Sequence, residues 1–183
     1  MPRPMRRDAA RNRDRLLQEA AAVFTEQGLS GSLEEVARRA GVSIGTLYNH
    51  FPNRDALIDA LVPQRVAELD EFAERAAAEP DSWIALSEFV ENMLSRFTAD
   101  RALFEAFTVE HPATSGLVQA CSRGMTGLSA VLDRARRDGV LRADATDIDV
   151  VNLMWALSLL GESVGTPAWR RSLTFVLDGL RAR

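Results

Sequence analysis

The side chains with the most selective chemistry in this 183-residue chain stand close together, between Ser43 and Arg54. Ser43, Thr46 and Tyr48 carry hydroxyls, Asn49 an amide and His50 an imidazole, with Ile44 and Gly45 among them and almost no charge. Such a set offers donors and acceptors at fixed spacing, which suits reading a polar surface and holding phosphate oxygens. It does not suit bond-breaking. Catalysis needs an acid, a base or a nucleophile brought together, and the chain has only two histidines, His50 and His111, and one cysteine, Cys121. No spacing matches a metal-ligand set or a GxSxG nucleophile turn. The expectation is a protein that is not an enzyme and holds neither metal nor cofactor.

These side chains need a rigid carrier, and the flanking sequence supplies one. In SLEEVARRAGVSIGTLYNHF (32–51), Ser32 caps a short helix with Glu35 three residues on, the spacing of a capping box. Gly41 supplies the left-handed backbone of a tight turn, and Ser43 caps a second short helix that must stop before Pro52. Leu33, Val36, Ala37, Val42, Leu47 and Phe51 form the buried set, which leaves Ile44, Gly45, Thr46, Tyr48, Asn49 and His50 outside. This is the layout of a helix-turn-helix. A duplex major groove admits one such helix, and residues near its start reach base edges. Gly45 would let a sugar-phosphate backbone come close, and Arg54 would grip a phosphate by charge.

The rest of the chain reads as helix, with no strand pattern. A first helix runs from Ala9 to Gln27 and stops at Gly28; Asn53 caps a fourth, in which Pro63 is expected to make a kink or break. Further helices are expected at about 64–78, 81–99, 100–110, 114–138, 146–164 and 168–181. The expected fold is all-α with about nine helices: a three-helix N-terminal domain, residues 1–62, and a larger helical domain, residues 63–183.

Charge follows the same division. The net charge is −4, yet residues 1–54 hold nine arginines against six acids, whereas residues 55–183 hold 13 against 20. All 22 basic residues are arginine. The acidic total speaks against coating nucleic acid by bulk charge, and the basic end allows a local patch. Arg3, Arg6, Arg7 and Arg11 are expected to form a basic arm beside the reader. There is no apolar segment of a secretory signal at the N-terminus and no run of ~20 apolar residues to span a membrane. A single cysteine forms no internal disulfide, so a cytoplasmic setting is expected.

From about Arg13 to Leu61 the chain resembles the DNA-binding domain of TetR-type transcriptional regulators, through LLQEAAAVFTEQGL and then SLEEVARRAGVSIGTLYNHFPNRDALIDAL. The segment RRDGVLRADATDIDV also resembles the C-terminal half of some members. The resemblance implies a homodimeric, ligand-responsive regulator, a repressor released from a palindromic operator by a small molecule. It places Ser32, Ser43, Ile44, Gly45, Thr46, Tyr48, Asn49 and His50 at DNA-contacting positions, with Arg54 where the family usually has lysine. Pro63 is a second departure, in a helix that usually runs on as a connector. The alternative is a helical protein-interaction module, or a small-molecule-binding protein without specific DNA binding.

For the larger domain, Trp83, Phe89, Phe104, Phe107, His111, Cys121, Met125 and Trp155 are the expected lining of a mainly apolar effector pocket. Val151, Met154, Ser158 and Gly161, with Trp169, Leu173, Val176, Leu177 and Leu180, are the expected faces for pairing two chains in a four-helix interface. The expected partners are therefore operator duplex DNA, an effector of unknown identity and a second copy of the chain, with no membrane.

Overall fold

In the computed structural model of the protein, residues 4–107, 114–164 and 166–182 are described. Among them stand nine helices: α1 Pro4–Gln27, α2 Leu33–Arg39, α3 Ile44–His50, α4 Arg54–Ala78, α5 Ser82–Ala99, α6 Arg101–Phe107, α7 Ser115–Arg137, α8 Asp147–Val164 and α9 Thr166–Leu180. The only β pairing among the described residues is an isolated bridge, Leu141 with Arg181. The all-α expectation holds. Two local expectations change. The basic N-terminal stretch is helical from Pro4 onward, while Arg3 lies outside the described residues and nothing is described of the Arg6 and Arg7 side chains.

The second change is at Pro63, which lies inside α4 without breaking it. A proline removes one i→i−4 hydrogen bond and crowds the preceding turn. Here its ring lies on the exposed side, while Leu57, Leu61, Leu69 and Ala76 along the same helix are buried. Packing of those side chains outweighs the lost bond, so the helix continues.

The chain divides into two compact units that are not contiguous in sequence: residues 1–65 with 100–119, and residues 66–99 with 120–183. The first boundary falls after Arg65, within α4. The addition of α6 and the start of α7 to the first unit is not legible in the residue pattern.

In the first unit, α1 packs on α2 and on α6, and α2 packs on α3. Leu16, Ala20, Val23 and Phe24 of α1 close over Val36, Ala37 and Leu47, all nearly free of solvent exposure. Each short helix is capped as its sequence demands. Ser32 Oγ accepts the Glu35 N–H at 3.1 Å, Ser43 Oγ that of Thr46 at 3.1 Å, and Asn53 Oδ1 that of Ala56 at 2.8 Å. Gly41, at φ +68°, ends α2 while the Val42 N–H returns to the Ala37 carbonyl at 3.0 Å, closing a Schellman turn.

The α1–α2 turn is gripped from two sides. Glu105 of α6 accepts the Leu29 N–H at 2.7 Å, and Arg54 of α4 donates through Nη1 to the carbonyls of Leu29 at 2.9 Å and Gly31 at 2.5 Å. Gly28 makes room for this: its φ is +79°, and a Cβ there would lie 2.2 Å from Glu105 Oε1. The segment carrying Glu105 is itself fixed to α4. Asp100 caps α6 by accepting the Leu103 N–H at 3.0 Å and pairs with Arg65, the two side chains being only 6% and 11% exposed. Farther on, Asp59 accepts the Gly116 N–H at 3.2 Å, with no space for a side chain at 116.

In the second unit, α5 packs against α8 and α9, and α8 against α9. Phe89, Met93, Leu94, Met154, Leu157, Trp169 and Leu173 are buried. Gly161 permits the close approach: a Cβ there would meet Thr98 Cγ2 at 2.5 Å and Trp169 Cδ1 at 3.0 Å. The end of α9 is stitched to the α7–α8 connection by Arg142 N–H to the Leu180 carbonyl at 2.9 Å and Ala182 N–H to the Val140 carbonyl at 2.8 Å.

Gly28→Ala should destabilise the first unit by about 2 kcal/mol, from left-handed backbone strain and collision with the carboxylate. In a Glu105→Ala background the cost should shrink toward the strain alone, because the space is then vacant. Denaturant unfolding of the four members of this double-mutant cycle checks the coupling.

Candidate nucleic-acid interface

α3 presents one buried side chain and an open face. Leu47 is fully buried among α1 and α2, which fixes the rotation of the helix about its axis. Ser43, Ile44, Gly45, Tyr48 and Asn49 are exposed, and Thr46 and His50 are half-buried. The sequence thus oriented the face correctly, but the roles within it divide. The Ser43 and Thr46 hydroxyls lie 2.9 Å apart, one donating to the other, and Ser43 Oγ also accepts the Thr46 N–H at the helix start. Ser32 is occupied in the same way, accepting from Glu35 N–H and donating to Glu34 at 3.0 Å. These three serve first as local scaffolding.

Tyr48, 46% exposed, and Asn49 have no hydrogen-bond partner among the described residues. Their polar groups stand ready for an external partner. His50 is turned toward Phe51, with ring centroids 6.4 Å apart. Gly45 faces open space: a Cβ there would meet only Ser43 Oγ, at 3.8 Å. No packing inside the chain therefore requires glycine at this helical position.

Arg54 has a different place from the phosphate grip expected of it. Its guanidinium is drawn inward to the α1–α2 turn and lies 5.8 Å from the centroid of the Phe24 ring. Two carbonyls in reach of one planar fork account for that geometry. The α2 arginines are likewise engaged. Arg39 bridges Glu26 and Glu35 at 2.8 Å, and Arg38 meets Glu35 at 2.6 Å. The two guanidiniums hold the Glu35 carboxyl down to about 2, so this network keeps its charge at any neutral pH.

The cations that flank α3 come from α1, a contribution the residue pattern of α2 and α3 does not reveal. Arg15 Nη1 lies 3.9 Å from where a Gly41 Cβ would be, beside the turn that enters α3. Arg13 stacks over Phe51, 5.2 Å from its ring centroid, beside the residue that ends it. Both are exposed. One signal was available: Arg13 stands three and seven residues before Leu16 and Ala20, on the stripe that faces α2 and α3.

The residues of the expected effector lining differ in burial and place. Phe89 is core, packed at Gly127; Trp83 is half-buried beneath the Arg181 guanidinium, 5.3 Å away; Met125 and Trp155 are exposed. Cys121 is half-buried, and burial pushes its thiol up. Phe104 is half-buried and belongs to the first unit. His111 and the side chain of Phe107 lie outside the described residues. Two open hollows do occur. One, of about 280 Å³, lies in the first unit by Leu29, Arg54, Ile58 and Leu117; the other, of about 760 Å³, lies in the second by Arg136, Leu141, Arg142 and Arg181. No group of three metal-ligating side chains occurs among the described residues, and no described helix is long and apolar enough to cross a membrane.

The faces expected to pair two chains are largely consumed within one. Met154, Ser158, Trp169, Leu173 and Leu180 are buried, and Val151, Gly161, Val176 and Leu177 are half-buried. Ser158 returns its hydroxyl to the Met154 carbonyl at 2.9 Å. The apolar side chains that do face outward are Ile148, Trp155 and Leu159 on α8 and Phe175 on α9.

Known proteins share this arrangement. Residues 16–61 match the bacterial regulatory proteins of the tetR family, and residues 80–182 match the C-terminal domain of SbtR-like transcriptional regulators. A TetR transcriptional regulator of Streptomyces coelicolor is 32% identical, with a TM-score of 0.61 over 93% of this chain and 98% of that one. A TetR regulatory protein of Mycobacterium vanbaalenii is 31% identical, also with a TM-score of 0.61, over 98% and 100%. The HTH-type transcriptional regulator SrpR of Pseudomonas putida is 27% identical over 147 residues, 77% of this chain and 68% of that protein. The match to UidR of Escherichia coli is confined to the reader: 38% identity over 61 residues, about a third of each chain. With a helix-turn-helix, an open recognition face and both halves of the chain matched, the protein belongs to the TetR family of DNA-binding transcriptional regulators.

Proposed function

We propose that this regulator is a cytoplasmic, ligand-responsive repressor that binds a palindromic operator as a homodimer. The observation that carries the reading is the face of α3. It has free Tyr48 and Asn49 polar groups, an unfilled gap at Gly45 and flanking cations at Arg13 and Arg15. Tyr48 and Asn49 make the polar contacts, and Ile44 completes the exposed face. Ser32, Ser43 and Thr46 contribute by fixing helix starts. His50 and Arg54 act at the margin, Arg54 through the turn it holds.

Two copies pair through the outward apolar side chains of α8 and α9. Ile148, Trp155 and Leu159 repeat at intervals of seven and four residues and form one stripe on α8, with Phe175 on α9. Trp155 is 51% and Phe175 65% exposed in the single chain, an unusual position for large aromatics. Pairing sets two recognition helices about one DNA turn, ~34–36 Å, apart or at a multiple of it.

The effector acts by population shift, favouring a conformer whose reader helices are mis-spaced for the two half-sites. A near-complete switch requires about 5.5 kcal/mol of differential affinity. Support for a small-molecule effector is the fold itself. FadR of Bacillus subtilis, 14% identical with a TM-score of 0.68, has been solved in complex with stearoyl-CoA. The hollow by Leu29, Arg54 and Leu117 borders the α1–α2 turn, and α6, which grips that turn, belongs to the same unit.

Specific binding to its own upstream region, over random duplex at moderate salt, is the direct test; equal affinity for both would end the proposal. Three variants sharpen it. Tyr48→Ala should abolish specific binding while leaving the fold and dimer intact. Gly45→Ala should split stability from function, raising stability by about 0.5–1 kcal/mol because alanine is the better helix former. The same change should weaken operator binding, since the added methyl meets the duplex rather than the protein. Trp155→Glu combined with Phe175→Glu should yield monomers by sedimentation, with operator affinity falling to the non-specific level.

A further inference from the structure

Two neighbouring residues at the start of α3 have types that nothing inside the chain explains. Ile44 occupies the first helical position, remains 36% exposed and belongs to no larger apolar patch on its helix, where Tyr48 is the other exposed large apolar side chain. A β-branched residue there lowers helix propensity slightly, and glycine at the next position lowers it more. Yet a side chain at Gly45 would have open space, with only Ser43 Oγ in ordinary contact at 3.8 Å. An apolar side chain about a third exposed thus stands beside a gap with nothing to avoid. Both features point outward.

The polar groups around Ile44 are engaged elsewhere. One of the Ser43 and Thr46 hydroxyls donates to the other at 2.9 Å, so both are already engaged at the helix start, and the Ile44 alkyl group stands between them in sequence. Ile44 and Tyr48 are one turn apart and share a strip; Gly45 and Asn49 share the adjacent one. The gap at Gly45 lets α3 settle closely enough for the Ile44 methyls to touch base edges. The major-groove edge of DNA presents one apolar group, the C5-methyl of thymine, among donors and acceptors. Cytosine has only C5–H at that place and a purine turns its N7 acceptor toward the groove, so neither offers Ile44 the same methyl contact.

We propose that Ile44 reads the C5-methyl of a thymine in each half-site, and that the operator therefore requires thymine at one symmetric pair of positions. This rests on the reading of α3 as the DNA-reading helix and adds a base identity to it. The gap at Gly45 supplies approach, Asn49 the hydrogen bonding on the neighbouring strip, and Ile44 the discrimination between thymine and the other pyrimidine.

Deoxyuridine is the appropriate probe, because it removes the methyl and leaves base pairing unchanged. The full-length protein first selects duplexes from a random pool at moderate salt. Each thymine of the enriched sequence is then replaced by deoxyuridine, and affinity is measured for the wild type, Ile44→Ala and Ile44→Val. At one symmetric pair, each replacement should weaken the wild type about fourfold, the loss expected for one buried methyl. The same replacement should leave Ile44→Ala unaffected and Ile44→Val partly sensitive. Thermal melting of each variant confirms that the fold is retained. A deoxyuridine penalty of equal size in wild type and Ile44→Ala overturns the proposal, as does the absence of any sensitive position. No enrichment of any sequence would instead overturn α3 as a DNA reader, so the two failures are distinguishable.

Discussion

The arrangement of the reader depends on how one five-residue connection is held. Between Gln27 and Leu33 the chain must reverse so that α2 lies against α1, and the amides and carbonyls of the buried Gly28, Leu29 and Gly31 need partners. Arg54 takes two carbonyls and Glu105 takes an N–H, so oppositely charged side chains from α4 and α6 satisfy a single turn. The carboxylate sits just beyond the C-terminal end of α1, where the helix dipole opposes negative charge. The bond to Leu29 N–H and the neighbouring Arg101, 3.1 Å from Glu105, offset that opposition. The grip is therefore favourable only as a set.

Around this turn, the protein uses its polar groups economically. The serines that begin α2 and α3 cap them, the arginines of α2 are tied to Glu26 and Glu35, and Arg54 is turned inward. What is left for an outside partner is small: a phenol, an amide, one isoleucine and, from α1, Arg13 and Arg15. A reader with few free charges gains little from the polyanion in general and depends on matched contacts at base edges. The acidic balance of residues 55–183 works in the same direction, since it repels DNA that the recognition helices do not engage.

Much of this was legible in the residues because it is local. Capping serines, the glycine at the α2–α3 turn and the apolar set around Leu47 act within a few residues of one another, and they oriented α3. What was not legible depends on distance along the chain. The hydrogen bond from Leu29 to Glu105 spans 76 residues, and no short-range pattern announces it. Arg54 looked like a free cation because its two carbonyl partners lie in a different connection. Pro63 looked like a break because the packing that overrides it is tertiary. On α8 and α9 the periodicity found one apolar face on each helix without saying whether the chain keeps it or offers it to a partner: Met154 and Trp169 went inside, while Trp155 and Phe175 stayed out.

The reader is also assembled out of order. Its first 65 residues leave the ribosome well before Asp100 and Glu105, which complete its anchoring, and between them the chain must make part of the other unit. The α1–α2 turn is therefore half-gripped during synthesis, with Arg54 present and the carboxylate still to come. A nascent chain at that stage carries the recognition helix without its full support. A graft of residues 1–65 onto another sensing body would bring the helix-turn-helix without one side of its clasp.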